Sequence, residues 1–110
     1  MKIDKKEISS KAIKFYIEQD GKEVARAFLY LIINDLNQEP YGFLEDVFVD
    51  ESLRGKGIGT ELVGKIIAEA KNCGCYKLIA TSRHKREKVH LLYNKLGFKD
   101  HGIEFRLDFK

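Results

Sequence analysis

Seven residues, Arg54-Gly55-Lys56-Gly57-Ile58-Gly59-Thr60, stand between a strand-like run and a strongly periodic helix. The run before them is Phe43-Leu44-Glu45-Asp46-Val47-Phe48-Val49. After them, apolar residues recur at Ile58, Leu62, Val63, Ile66, Ile67 and Ala70, which is helical spacing. Three glycines at alternate positions remove every Cβ from one side of the turn. The backbone there can bend sharply and aim successive N–H groups at one point. A helix starting at that point adds its unpaired N–H groups and the positive end of its dipole. A strand, a glycine turn and a helix start together make an anion site, and phosphate is the usual anion.

Two familiar phosphate motifs fail on spacing. A Walker loop ends in Gly-Lys-Ser/Thr, whereas this turn ends in Gly57-Ile58-Gly59-Thr60. The dinucleotide fingerprint places its third glycine one residue later and an acid about twenty positions on, where residues 76–79 hold none. The alternative without a ligand is a tight strand-to-helix connection. Arg54 and Lys56 argue against it, because two cations beside a helix N-terminus are unfavourable without an anion.

The rest of the chain is consistent with one small globular domain over residues 1–110. With 110 residues, 44% hydrophobic and 34% charged, it can bury one core and keep a solvated surface. No apolar run approaches the roughly 18 residues of a membrane span, and no secretory leader is expected. The net charge of +3 is too small to imply nucleic acid, but it suits an anionic ligand. Aromatic residues are not interleaved with the basic run at 83–90, so a single-stranded nucleic-acid platform is not expected. Cys73 and Cys75 lie too close for an unstrained disulfide. No second Cys/His pair stands at ligand spacing either, so a reduced thiol pair and no metal are expected, with Cys75 entering a buried strand.

Periodicity lays out the elements. Residues 11–18 alternate Ile13, Phe15 and Ile17, Asp20-Gly21 signals a hairpin turn, and residues 24–33 return as a second strand. Residues 34–42 read as a polar loop with the only proline, Pro40. A third strand spans 43–49, a helix runs from the glycine turn to about Asn72, and Gly74 stops it. Next come a strand at 76–81 and a helix at 86–96 closed by Gly97. Residues 102–110 alternate Ile103, Phe105, Leu107 and Phe109 with Glu104, Arg106, Asp108 and Lys110, the pattern of a half-buried terminal strand. The step from 43 to 81 is strand–helix–strand, which implies one parallel pair in an otherwise antiparallel sheet.

Arg54-x-x-Gly57-x-Gly59 after Val47-x-Val49 resembles the coenzyme A pyrophosphate loop of the GNAT superfamily of N-acetyltransferases. Leu92-Tyr93-Asn94-Lys95-Leu96-Gly97-Phe98 is similar to that family's late helix, in the family's order and roughly its separation. The resemblance covers about residues 11–110. It implies a mixed α/β GNAT-like fold: a mostly antiparallel sheet, a central splayed parallel pair and flanking helices. It also implies acetyl-CoA as cosubstrate, without a metal. The pantothenate arm would lie along the backbone of Val47, Phe48 and Val49, and the phosphates over Arg54, Gly55, Lys56, Gly57, Ile58, Gly59 and Thr60. Tyr93 would protonate the departing thiolate; on spacing alone it is one more aromatic on an apolar stripe. Arg86 fills a slot where many members carry an asparagine, and its charge suits phosphate.

Glu45 and Asp46 are the candidate acids for taking the amine proton, directly or through water. Glu45 shares strand parity with Val47 and Val49. The alternative is a charged pair that orients substrate. The protein-acetylating branch places its glutamate where this chain has Phe43. Glu45-Asp46-Val47-x-Val49, Cys75-Tyr76-Lys77 and Tyr93-x-Lys95 are similar to glucosamine-6-phosphate N-acetyltransferases, but Thr81 and Asp108 replace that branch's aspartate and phosphate-binding arginine. The basic run 83–90 suits the 3′-phosphate of coenzyme A or an acidic substrate. His90, three residues before Tyr93, is a candidate for a proton relay or a structural group. Only residues 1–10 precede the first strand, where the family usually has a strand and two helices over the acceptor. The N-terminal helices are therefore expected to be truncated and the acceptor side open, whether to a small-molecule or a protein amine. A homodimer through Ile103 to Phe109 and a cytoplasmic setting are expected. The reading from a different class is a non-catalytic acyl-CoA-binding or regulatory module, which needs the glycine turn but not Tyr93.

Overall fold

The computed structural model describes residues 1–110, which group into two compact units, Met1–Ala80 and Thr81–Lys110. The first unit holds a four-stranded sheet in the order β1 (Lys11–Gln19), β2 (Lys22–Ile32), β3 (Tyr41–Val49), β4 (Leu78–Ala80). It also holds helix α1 (Ile58–Asn72). The β1–β2 and β2–β3 pairs are antiparallel and the β3–β4 pair is parallel, as the strand–helix–strand pattern requires. The second unit holds helix α2 (Glu87–Lys95). No helix is long and apolar enough to cross a membrane.

The β1–β2 turn is a consequence of its two residues. Asp20 (φ 54°) and Gly21 (φ 76°) both occupy the left-handed region, and Gln19 pairs with Lys22 across them. Two residues at positive φ make the turn whose twist matches a hairpin, and Asp-Gly is a preferred sequence for it. On β2, Ala25, Ala27, Leu29 and Leu31 are buried in strict alternation. They face α1, which contributes buried Leu62, Val63, Ile66 and Ala70, and β3 adds buried Leu44. The small Ala25 and Ala27 leave room for the helix, and Leu29, Leu44, Val63 and Ile66 fill the layer as its largest fully buried side chains.

Both helices end by one device. Gly74 (φ 78°) donates to the Lys71 carbonyl and Cys75 to the Ala70 carbonyl; Gly97 (φ 98°) donates to Asn94 and Phe98 to Tyr93. Each is the paired-bond stop that a left-handed glycine permits. Cys75 then lies ahead of β4 rather than within it, half-buried, and burial raises its thiol pKa, so it stays protonated at neutral pH. β4 is shorter than its sequence pattern. Tyr76 donates to the Pro40 carbonyl and Gly42 to the Lys77 carbonyl, and the ladder then runs only from Leu78 to Ala80.

The expected terminal strand at 102–110 does not form. These residues are exposed and make no backbone ladder. A strand has no internal hydrogen bonds to hold it, so an alternating sequence becomes one only beside a partner edge. Deleting core volume should show where stability resides. Ile66→Ala should lower unfolding free energy by about 2–5 kcal/mol. Leu91→Ala on exposed α2 should change it by less than about 0.5 kcal/mol in the same urea titration.

Candidate functional site

β3 carries the feature on which the site depends. Phe28 of β2 pairs with Glu45, but Arg26 pairs with Phe48, so two β3 residues, Asp46 and Val47, stand opposite Ala27 alone. This is a β-bulge, and Asp46 takes the left-handed conformation at its centre (φ 52°). The ladder to β4 stops at Leu44, paired with Ala80, so Val47, Phe48 and Val49 have no β4 partner. They lie beyond the parallel ladder, and of their main-chain groups the Val49 carbonyl accepts from Arg54 Nε. On the other side the strand stays tied to β2, since Asp50 donates to the Val24 carbonyl at 2.7 Å.

The bulge corrects the expected parity of Glu45. Regular alternation would put residues 45, 47 and 49 on one face. Instead Glu45 pairs with Phe28 and Phe48 with Arg26, on the face away from α1, while Val49 pairs with Ala25 on the α1 face. Across three strands that open face forms rows: Ala12, Tyr30, Phe43; then Lys14, Phe28, Glu45; then Tyr16, Arg26, Phe48. Lys14 Nζ stands 5.6 Å from the Phe28 ring and Arg26 lies 4.8 Å over the Phe48 ring. Both cations bind Glu23, Arg26 at 3.3 Å, and the Lys14 hydrogen bond foremost holds the Glu23 carboxyl below its ordinary range. Register between β1 and β2 brings Lys14 to the Glu23 carboxylate, beside Arg26.

The turn after β3 is built in two steps. Asp50 closes a short 3₁₀ turn, Glu51–Leu53, by accepting from Ser52 Oγ at 2.6 Å and from Ser52 N at 3.2 Å. Arg54 Nε then donates to the Val49 carbonyl at 3.0 Å, folding the arginine stem back on the strand end. Gly55 (φ 81°) and Gly57 (φ 79°) take conformations that L side chains rarely adopt. Gly57 is the residue at which α1 begins, its carbonyl accepting from Glu61 N at 3.0 Å, and no side chain caps the helix there. The three glycines thus differ in role. Gly59 lies inside the helix, where an added Cβ would sit 3.8 Å from a Val49 methyl. Residues 54–57 are exposed, and the first turn of α1 that follows them carries no capping side chain. That cradle fits a diphosphate, because it offers oriented donors, a positive dipole end and two cations without a competing side chain.

The other candidates lie in the second unit. Tyr93 is half-buried on α2, and its ring lies 5.2 Å from that of Phe98 at 42°. The glycine stop brings the two together, since Phe98 donates to the Tyr93 carbonyl at 2.9 Å. Arg86 is exposed at the start of α2. His90 is tied down: Nε2 lies 2.9 Å from the Arg83 carbonyl, which can only accept, so Nε2 carries the proton. That bond supports the structural reading of His90, bracing the 83–86 turn.

The sequence model of the Acetyltransferase (GNAT) family matches residues 3–98. Over 67 residues the chain is 43% identical to the glucosamine 6-phosphate N-acetyltransferase of Trypanosoma brucei brucei, covering 61% of this chain and 44% of that protein. Over 84 residues it is 30% identical to an aminoglycoside N(6')-acetyltransferase type 1 of Stenotrophomonas maltophilia, covering 74% and 55%. The chain thus spans about half the length of these curated relatives. The crystal structure of an acetyltransferase from Trypanosoma brucei superposes with a TM-score of 0.77 at 33% identity, over 89% of this chain and 69% of that one.

The Asp50 turn gives a pH signature. Its hydrogen bonds with Ser52, the side-chain bond first, lower the folded pKa. A depressed carboxyl pKa stabilises above the unfolded value of about 3.9, and that stabilisation is lost as pH falls through the folded value. Hydrogen exchange at the Ser52 and Leu53 amides should therefore gain protection with rising pH across that window, after correction for intrinsic rates. In Asp50→Ala the exchange should be fast throughout.

Proposed function

The chain belongs to the GNAT acetyltransferase family, and from that premise we propose that it transfers the acetyl group of acetyl-CoA to a primary amine by direct attack within a ternary complex. The observation that carries the reading is the continuous run from the β3 bulge to the uncapped start of α1. It brings a strand end without a β4 ladder and a glycine turn at an uncapped helix start within a few residues of each other. Residues 1–110 act in this reading as one GNAT domain, in the cytoplasm where acetyl-CoA is available.

Acetyl-CoA supplies the acetyl group as an activated thioester. The N–H groups at Gly57, Ile58, Gly59 and Thr60, with Arg54, Gly55 and Lys56, hold its phosphates, and Arg86 is a further candidate cation for them. The backbone of Val47, Phe48 and Val49 orients the pantothenate arm, and a strand N–H there stabilises negative charge developing on the carbonyl oxygen. Glu45, on the open face beside Phe28, takes the proton that the amine nitrogen loses as its bond to the acetyl carbon forms, directly or through water. Tyr93 Oη gives a proton to the sulfur as the carbon–sulfur bond breaks. The products are an N-acetyl amide and free coenzyme A.

For the acceptor, an amino sugar is the first class to assay. The glucosamine 6-phosphate and aminoglycoside acetyltransferases it resembles bear that in their names. The reading as a non-catalytic acyl-CoA-binding module has one observation in its favour, the packing of Tyr93 on Phe98.

Two variants test the assignment. Gly57→Val should weaken acetyl-CoA binding by at least tenfold in calorimetry, because a branched residue resists the left-handed backbone that aims the helix start. Unchanged affinity in a folded variant would remove the turn from the binding site. Tyr93→Phe keeps the ring on Phe98 and removes only the hydroxyl. Thiol release assayed over a panel of amines should show kcat reduced by roughly 10²–10⁴ with acetyl-CoA affinity little changed. Full activity would return Tyr93 to packing, and no thiol release by the unaltered chain with any amine would favour the binding module.

A further inference from the structure

Glu23 and Arg26 of β2 meet side chain to side chain although the spacing between them is odd. In a regular strand such a pair points to opposite faces. The register explains the exception. Ile17 pairs with Ala25 and Glu18 with Glu23, so Val24 is an extra residue on β2. This second bulge leaves Val24 and Ala25 both buried and turns Glu23 to the open face, where Lys14 and Arg26 stand. One Glu23 oxygen takes the Lys14 ammonium and the other takes Arg26 Nη1.

The series of contacts ends at Phe48. Arg26 pairs with Phe48 across the β2–β3 ladder, and its guanidinium lies over the Phe48 ring. Lys14, Glu23, Arg26 and Phe48 thus link β1, β2 and β3 through their side chains. Phe48 lies between the β3 bulge and the glycine turn, beyond the β4 ladder, so β2 is the one strand that pairs with it. A strand held along one edge can swing about that edge unless its side chains are gripped on both faces. On the α1 face Val49 lies against the helix start at Gly59. On the open face the grip is Arg26 on Phe48. An isolated exposed ion pair would hold little. Here the guanidinium is fixed from two directions, by a carboxylate that a second cation also holds and by a ring.

We propose that Arg26 is a positioning residue for acetyl transfer: braced by Glu23, its guanidinium holds the Phe48 ring and so fixes residues 47–49 where the pantothenate arm is to lie. The proposal rests on the acetyltransferase reading of the site. In this role Arg26 acts through Phe48 rather than on acetyl-CoA or the amine. The phosphates are held elsewhere, at the glycine turn, so a loosened strand end should slow the chemical step more than it weakens cofactor binding. A misplacement of about 1 Å can cost on the order of 10²-fold in rate. Lysine at position 26 would keep a cation for the ring but lacks the planar fork that bonds Glu23 while stacking, so it should replace arginine only in part.

Thiol release and calorimetry on the whole chain provide one test. Arg26→Gln should lower kcat roughly tenfold and change acetyl-CoA affinity by less than about threefold. Arg26→Lys should recover part of that loss. Phe48→Leu should reach a similar kcat, and Arg26→Gln combined with Phe48→Leu should fall no further, because the two act through one contact. A second readout needs no turnover. The Asp50 amide donates to the Val24 carbonyl at the end of the segment, and its hydrogen exchange should quicken about fivefold or more in Arg26→Gln, with exchange at buried Ile66 unchanged. Unchanged kcat in Arg26→Gln, or losses that multiply in the double variant, overturn the proposal. Exchange that quickens equally at Ile66 overturns it too, since that marks a general loosening. If the unaltered chain releases no thiol with any amine, it is the acetyltransferase reading that falls. Unchanged Asp50 exchange in Arg26→Gln overturns the clamp itself, whatever the activity.

Discussion

A single residue at positive φ, Asp46, sets the geometry of the third strand. The bulge around it places two β3 residues opposite one on β2, so the strand twists away from β4 after only three paired residues. A regular ladder would tie the backbone of Val47, Phe48 and Val49 to β4 and close the opening. The bulge also shifts the face on which the following side chains emerge, which puts Phe48 on the same open side as Glu45 and leaves Val49 against α1. Asp is among the few non-glycine residues that tolerate such a conformation.

The turn beyond the bulge depends on glycine for a related reason. Gly57 lets the chain enter α1 from the left-handed region, so the helix begins with no side chain over its first turn. Gly74 and Gly97 do the converse at the helix ends, reversing the chain while their neighbours' N–H groups satisfy the last carbonyls. The start of α1 is left open and its end is closed, and an anion site needs that asymmetry. Arg54 and Asp50 then fix the approach, one by gripping the Val49 carbonyl and the other by closing the turn over Ser52.

Much of the fold is legible in the sequence because its signals are local. The Asp20-Gly21 hairpin, the β2 alternation, the periodicity of α1 and both glycine stops are written in adjacent residues, and the structure bears each out. The open cradle at Gly57 is likewise local, since it needs only the conformations of three residues. Features that depend on pairing are less legible. β4 is shorter than its apolar run because β3 leaves it, and residues 102–110 form no strand because a strand needs a neighbour that sequence does not name. Strand parity groups Glu45 with Val49, which the structure puts on the opposite face, because parity presumes an unbroken ladder. His90, attractive by its spacing from Tyr93, is held by a carbonyl seven residues away.

The sequence by itself determined the hairpin, both helices with their glycine stops, and the sign of the charge at the glycine turn. Those come from side-chain periodicity, from glycine's access to positive φ and from the dipole of a helix start, all short-range. The tertiary structure alone decided that Glu45 and Val49 emerge on opposite faces, where the β3–β4 ladder ends, and that Lys14 of β1 meets Glu23 of β2. Each of these is set by register between strands distant in the chain, and a register shift of one residue, as at Asp46, exchanges the two faces of a sheet.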